Sequence, residues 1–312
     1  MCEEVPSAGT HTDGSWASGS PVTDGRHVYA CFGTYGLYCL DMDGNKKWQK
    51  RFGVMKVVAN FGEGASPVLC GDLLLMNWDQ EGPSFLAALD KSSGVERWRV
   101  NRDETTSWAT PLVTECGGKP QAIVSGTKRI RAYDPAQGAL LWECAGMTAN
   151  VIPSPVAEAG TLFCMSGFRG SALLAIRLDA AAGDITGKPG AIVWSRQKDT
   201  PYVPSPLLYD GRLYFTRGND ATLTCVDAAG GKPLYEAQPL AGLKGLYASP
   251  VAAAGRIYIT GRNGATIVLK AGTAFQVLAT NPLDESFSAS AAVAGREIYL
   301  RGHKSLYCIA ER

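Results

Sequence analysis

The chain has 312 residues, 46% of them hydrophobic, with 36 glycines and 17 prolines. That composition describes a turn-rich globular chain with a core to bury, and the lack of long apolar helical stretches argues against a helical bundle. Lysine plus arginine number 30 against 29 for aspartate plus glutamate, a net charge of +1 that gives no field to recruit nucleic acid or an anionic membrane.

No apolar run approaches the ~18 residues of a bilayer-spanning helix. Residues Met1 to Ser20 show no basic start followed by an apolar segment, so the chain as given reads without an export signal. The first patterned stretch is Ser20-Pro21-Val22, followed by the turn Asp24-Gly25-Arg26 and the alternating strand Val28-Tyr29-Ala30. Asp-Gly ahead of β-branched and aromatic residues predicts a hairpin, because glycine supplies the positive φ of a tight turn. A third strand follows as Leu37-Tyr38-Cys39-Leu40-Asp41, whose aspartate opens another turn. A fourth runs from Gly44 and places Trp48 four residues later.

The same order then repeats. The opening anchor recurs as Ser66-Pro67-Val68, Thr110-Pro111-Leu112, Ser154-Pro155-Val156, Ser205-Pro206-Leu207 and Ser249-Pro250-Val251, then degenerates to Ser290-Ala291-Ala292. The steps are 46, 44, 44, 51, 44 and 41 residues, the length of a four-stranded propeller blade. Proline suits each anchor because the first residue of a strand tolerates the loss of a ladder donor. The closing aromatic recurs as Gly94 to Trp98, Gly138 to Trp142, Gly190 to Trp194 and Gly231 to Tyr235, and reads as packing between neighbouring blades. The 51-residue step reflects an insertion at 179–190 that lengthens the turn between strands three and four. The last repeat ends at Ile309 to Arg312 without a fourth strand, and Met1 to Ser7 are the candidates to supply it and cover the edge.

These repeats predict an all-β fold, a β-propeller of four-stranded antiparallel blades spanning residues 1–312 as one domain. The nine cysteines form no CxxC and no adjacent pair. They sit mostly in apolar strands, where they act as small hydrophobes. With three histidines and no zinc-ligand spacing, no metal site is expected.

The succession Ser-Pro-Val, Asp-Gly-x-Val-Tyr, Leu-Tyr-Cys-Leu-Asp and Gly-x-x-x-Trp resembles the pyrroloquinoline-quinone-like (PQQ-like) propeller repeat from Trp16 to Ile309. That family includes the quinoprotein dehydrogenases, BamB and many bacterial envelope proteins. The resemblance implies a seven-bladed ring, or an eight-bladed family ring lacking its first blade, and a periplasmic, envelope or secreted setting. Its enzymatic branch holds the quinone beside a disulfide between adjacent cysteines and binds calcium. This chain has no Cys-Cys pair and no Cys-x-x-Cys-His haem motif, so neither PQQ nor calcium is expected.

In a four-stranded blade, the loops entering strand one and those joining strands two and three open on one face. Here that face collects the polar and aromatic residues that a small polar ligand or a protein segment requires. From the first repeats come His11, Asp13, Trp16, Asn60, Glu63, Trp78, Asp79, Glu81 and Trp108. The later repeats contribute Arg169, Tyr202, Arg217, Tyr247, Arg262 and Arg301, with the four arginines near the ends of successive second strands. An arginine arc would hold an anion or carboxylate. Glu63 and Asp79 are the acid and base candidates if the chain acts on a carbohydrate or polyol. No GxSxG, HExxH, P-loop or dinucleotide fingerprint occurs. The primary expectation is a non-catalytic binding or scaffold module, with a carbohydrate enzyme and a quinone-dependent dehydrogenase as alternatives.

Overall fold

A computed structural model describes residues 10–310. The chain packs as two compact units, residues 10–155 with Leu178–Ala191, and Val156–Arg177 with residues 192–310. The first contains three sheets and the second contains four. Sheet one is built from Val22–Thr23, His27–Cys31, Leu37–Asp41 and Lys46–Lys50; sheet two from Val68–Cys70, Leu73–Trp78, Ser84–Asp90 and Glu96–Arg102. Sheet three comprises Leu112–Cys116, Lys119–Ser125, Ile130–Tyr133 and Leu140–Cys144.

In the second unit, sheet four is formed by Val156–Glu158, Thr161–Ser166, Ala172–Arg177 and Ile192–Arg196; sheet five by Leu207–Tyr209, Arg212–Thr216, Thr222–Asp227 and Pro233–Pro239. Sheet six has Val251–Ala253, Arg256–Thr260, Ala265–Lys270 and Val277–Pro282, and sheet seven has Ala292–Ala294, Glu297–Arg301 and Leu306–Ala310. Each sheet is one repeat, with its repeat strands antiparallel in sequence order, so the fold is an all-β, seven-bladed propeller with four-stranded blades. Among the described residues the only helical pieces are three short 3-10 turns, and no helix is long and apolar enough to cross a membrane.

Local chemistry explains each turn. Asp210 and Gly211 both take positive φ, 52° and 68°, the backbone of a type I′ hairpin. At the end of strand three, Asp41 Oδ1 accepts from the amides of Asp43 and Asn45, and Asp90 Oδ1 from those of Ser92 and Ser93. Six of the sheets share one further irregularity. The register slips just after the third-strand residue that faces the fourth strand, between Cys39 and Leu40 in sheet one and between Cys225 and Val226 in sheet five. Such a bulge twists the outer strand and re-aims its side chains.

Three of the tryptophans, Trp48, Trp98 and Trp194, lock one repeat to the next, whereas Trp142 donates to Gln121 within its own sheet. A Cβ on Gly94 would lie 2.6 Å from the Trp48 ring, on Gly138 2.7 Å from Trp98, and on Gly231 2.5 Å from Trp194. The indole N–H groups finish the contact, Trp48 donating to the Lys91 carbonyl at 3.0 Å, Trp98 to Pro135 at 2.8 Å and Trp194 to Ala228 at 3.0 Å. The glycine therefore serves twice, as the turn residue and as the seat for the preceding repeat's ring.

The anchors carry a second belt. In the first unit the amide of Ser20 donates to Ser66 Oγ, that of Ser66 to Thr110 Oγ1 and that of Thr110 to Ser154 Oγ, at 2.9–3.0 Å. In the second unit Ser205 donates to Ser249 and Ser249 to Ser290, both at 2.9 Å. The hydroxyl satisfies an amide that the strand leaves unpaired, each bond contributing roughly 1 kcal/mol. Between the sheets lie the cores, for example Tyr29, Leu37, Leu74, Met76 and Phe85 in the first unit and Tyr214, Leu223, Ile257 and Ile267 in the second.

The insertion at 179–190 does more than lengthen a turn. Gly183–Asp184 pairs in parallel with Leu140–Cys144 as a fifth strand of sheet three, with Gly183 opposite Trp142, and Ile185 is fully buried. The proposed closing strand, Met1 to Ser7, lies outside the described residues.

Candidate functional site

In the first unit the carboxylates of the loop-rich face act on neighbouring backbone. Glu63 Oε1 accepts from the Thr34 amide at 2.9 Å and from Thr34 Oγ1 at 2.7 Å, while Thr34 Oγ1 in turn accepts from the Met55 amide at 3.1 Å. Glu81 repeats the arrangement on Thr106, at 3.1 and 2.7 Å, and Thr106 Oγ1 accepts from the Val58 amide. Glycine makes the approach possible beneath Glu63, since a Cβ on Gly33 would lie 2.2 Å from the carboxylate. These acids pin one loop to the next.

Asp79 lies deeper, at 1% exposure. Arg102 donates to both its oxygens, Nε at 2.8 Å and Nη2 at 3.1 Å, and Ser107 Oγ donates at 2.7 Å. Arg102 Nη1 reaches the Tyr133 hydroxyl at 2.8 Å. Burial alone would pull the guanidinium down, but the charge of Asp79 beside it pushes it above its ordinary value. This is a paired and hydrogen-bonded interior charge, whose rupture costs far more than the pair itself contributes. Trp78, next to Asp79, is also 1% exposed and stacks on Phe85 at 6.0 Å and 17°.

The remaining first-unit residues gather near the start of the described chain. The His11 ring sits 4.4 Å from Phe61, and Phe61 meets Trp108 edge-on at 6.3 Å. Backbone ties this group together: the His11 amide donates to the Asn60 carbonyl, and Trp108 Nε1 donates to the Gly62 carbonyl, both at 2.8 Å. Asp13 donates its amide to His11 Nδ1 at 3.1 Å, and Trp16 is 41% exposed. The result is a partly exposed aromatic patch on braced loops.

In the second unit the arginines meet aromatic rings or their own loop. Arg169 lies over Phe168 at 5.3 Å, and Phe168 stacks on Tyr202 at 4.8 Å and 22°. Tyr202 is held by its amide, which donates to the Gly218 carbonyl at 3.1 Å. Arg262 lies over Tyr247 at 4.4 Å, its amide donating to Gly245 at 3.0 Å. Arg217 pairs with Asp220 at 3.0 Å, and Arg301 ends its strand exposed.

Nucleophilic thiol chemistry has little to draw on. Cys31, Cys39, Cys144, Cys164 and Cys225 are buried and in no disulfide. Burial pushes the thiol of Cys31 up to about 12 and those of Cys144 and Cys225 up to about 11, so none is a thiolate near neutral pH. Cys308 differs in being exposed. Among the described residues no group of three or more His, Cys, Asp or Glu side chains could hold a metal.

Two further carboxylates brace loops. Buried Glu104 accepts from the amides of Lys128 and Arg129 at 2.8 and 3.0 Å and from Arg131 Nη1 at 2.9 Å. Glu285 accepts from the amides of Lys304 and Ser305 and from the Tyr307 hydroxyl, and the Lys304 amide first among these holds its carboxyl below the usual range. Each sits against a glycine, Gly126 or Gly302, whose Cβ would lie 2.6 or 2.4 Å away. The available signal was a carboxylate a few residues before an anchor paired with a glycine just beyond a second strand.

Comparison with known proteins agrees with this architecture. The family model described as outer membrane protein assembly factor BamB matches residues 5–235 and again 82–312. No curated protein matches the chain. Among solved structures, the chain is similar to the crystal structure of BamB from Moraxella catarrhalis, with 16% identity, a TM-score of 0.53, and coverage of 94% of this chain and 96% of that one. At that identity the likeness is one of fold.

Proposed function

We propose that this chain, which belongs to the PQQ-like propeller family described as outer membrane protein assembly factor BamB, is a non-catalytic binding scaffold that holds an acidic, aromatic-containing protein segment on its loop-rich face. A family named for an assembly factor supports a protein partner over a metabolite. The observation that carries the reading is the pair of arginine-over-ring contacts in the second unit, Arg169 on Phe168 and Arg262 on Tyr247. Each sets positive charge against an aromatic surface, a combination that suits a segment carrying acidic and apolar side chains.

The carbohydrate-enzyme alternative needs two carboxylates able to trade protons with a substrate. Glu63 is engaged by Thr34, and Asp79 by Arg102 and Ser107. Acid–base work at either would break a brace or an interior ion pair. The scaffold reading also calls for neither quinone nor calcium, consistent with the missing adjacent cysteine pair.

Fluorescence anisotropy with labelled peptides of Asp, Glu, Phe and Tyr tests the proposal, with uronic acids and neutral oligosaccharides as competing probes. Peptide binding that weakens about tenfold in Arg262→Ala or Tyr202→Ala is expected, about 1–2 kcal/mol for losing an interface aromatic or arginine. Binding of uronic acids alone would replace the protein segment with a small acidic ligand. Turnover of a sugar that disappears in Glu63→Gln would overturn the scaffold reading.

A further inference from the structure

The turns joining strands one and two, at the end of the sheets away from the loop-rich face, are not alike. In sheet one the residue two places after the anchor's aliphatic is Asp24, and Lys91 of sheet two reaches its Oδ2 at 3.6 Å. In sheet five the same place is held by Tyr209, whose hydroxyl accepts from the amide of Gly255 in sheet six at 3.1 Å. Each long side chain bridges one sheet to the next. Sheet two has Cys70 at that place, and sheet three has Pro135 where sheet two has Lys91, both just after the aspartate of the strand-three turn. Neither side chain can span the gap.

A groove of about 580 Å³ remains there, between sheets two and three of the first unit. Pairing fixes which side chains face it, because residues opposite one another on neighbouring strands share a face. Cys70 pairs with Leu73 and Glu115 with Pro120, and these four line the groove with Val113 and, from the turn, Pro135. Cys70, Leu73 and Val113 rest in turn on the core of Leu75, Ala88 and Ala122. The hairpin of sheet three is the longer by four residues, since Leu112 pairs with Ile123 but Val68 with Leu75, so it carries its wall about 7 Å further. The lip is acidic. Glu115 is exposed, the Asp72 side chain is 95% exposed, and Lys91, 3.5 Å from Asp72, is shared with Asp24. Lys119 pairs with Cys116, one place along from Glu115 and Pro120, and so stands on the opposite face of its hairpin.

We infer that this groove docks a basic protein segment, one that lays an apolar side chain against Leu73, Val113 and Pro135 and sets lysine or arginine beside Asp72 and Glu115. Opposite charge at the lip steers the segment in and fixes its register, while the apolar wall supplies the buried area. Gly71, Pro120 and Ala136 along the rim are exposed. An open rim suits a chain crossing the groove, whereas a small molecule needs enclosure on most sides. The segment is opposite in charge to the one proposed for Arg169 and Arg262, and the two sites share no residue, so the failure of either leaves the other standing.

The test uses the full chain and the labelled peptide Lys-Phe-Arg-Leu-Lys, with Glu-Phe-Glu-Leu-Glu and Lys-Ser-Arg-Ser-Lys as controls. Alkylation of Cys70, followed by peptide mass mapping, reports occupancy of the groove, beside fluorescence anisotropy. At about ten times its Kd the basic apolar peptide is expected to slow Cys70 alkylation about tenfold by mass action, and to bind more weakly as salt screens the lip. Asp72→Lys combined with Glu115→Lys, both at exposed positions, should keep the thermal midpoint and weaken the peptide about tenfold. Cys70→Tyr, which copies Tyr209, should fill the groove and abolish binding. The proposal is overturned if the basic apolar peptide leaves Cys70 alkylation unchanged up to about 1 mM, the weak end of specific binding. Equal protection by the acidic or the serine peptide overturns it as well. Protection by phenethylamine that matches the peptide's at the same concentration would assign the groove to a small amphiphilic amine and overturn it too.

Discussion

In the first unit Glu63, Glu81 and Glu104 spend their lone pairs on amides and hydroxyls of neighbouring loops, and Asp79 is locked to Arg102 in the interior. In the second unit Glu285 braces in the same way, but Arg169 and Arg262 lie across the aromatic rings of Phe168 and Tyr247. Charge therefore builds the platform in one set of loops and dresses its surface in another. Acidic residues on a loop-rich face need not be reactive, because an amide-filled loop end is itself a strong demand for a carboxylate.

The largest effect expected from disturbing this division is at the interior pair. Asp79→Ala leaves the Arg102 charge buried without its partner and should cost about 3–5 kcal/mol in denaturant unfolding. A loss under about 1 kcal/mol would show that water reaches the pair and that Asp79 is available for chemistry. Next come the interlocking glycines. Gly94→Ala puts a methyl into the Trp48 ring at φ +72°, whereas Gly44→Ala, at φ +84°, meets nothing within 4 Å. Both carry the strain of a left-handed backbone, and only the first adds overpacking, so Gly94→Ala should be the more destabilising by roughly 1–3 kcal/mol. Equal losses would mean that the ring yields freely.

Ser249→Ala removes the acceptor for the Ser205 amide and should cost about 1–2 kcal/mol in denaturant unfolding. The smallest effect concerns acid. The amides of His27 and Arg26 hold the Asp24 carboxyl down at about 2. Its folded value lies below the ordinary ~3.9 of the unfolded chain, so its contribution is present above about pH 4 and fades as pH falls towards 2. Asp24→Asn should flatten that part of the acid-unfolding curve; an unchanged slope would show that the turn amides do not select the charged form.

The fold was legible because its punctuation is local. Ser-Pro-Val, Asp-Gly and Gly-x-x-x-Trp each specify a strand start, a turn or a ring seat within a few residues, and repetition multiplies the signal. Less legible were features that depend on a partner far along the chain. Nothing near Glu63 announces Thr34, 29 residues away, and nothing near Asp79 announces Arg102, 23 residues away. The pairing of Gly183–Asp184 with the fourth strand of sheet three was hidden for the same reason, since Ala-, Gly- and Asp-rich composition reads as a loop. The anchor serines were recognised as small residues beside proline, but their hydroxyl belt requires two anchors to meet in space.

The central claim, that the carboxylates build the face and the arginine–aromatic pairs bind on it, is tested most directly by one paired measurement. Thermal unfolding and acidic-peptide anisotropy are recorded together for Glu63→Gln and Tyr202→Ala. The account predicts that Glu63→Gln lowers the unfolding midpoint while peptide affinity is kept, and that Tyr202→Ala weakens the peptide about tenfold with a smaller change in midpoint. Loss of binding in Glu63→Gln with an unchanged midpoint, and full binding in Tyr202→Ala, would contradict it.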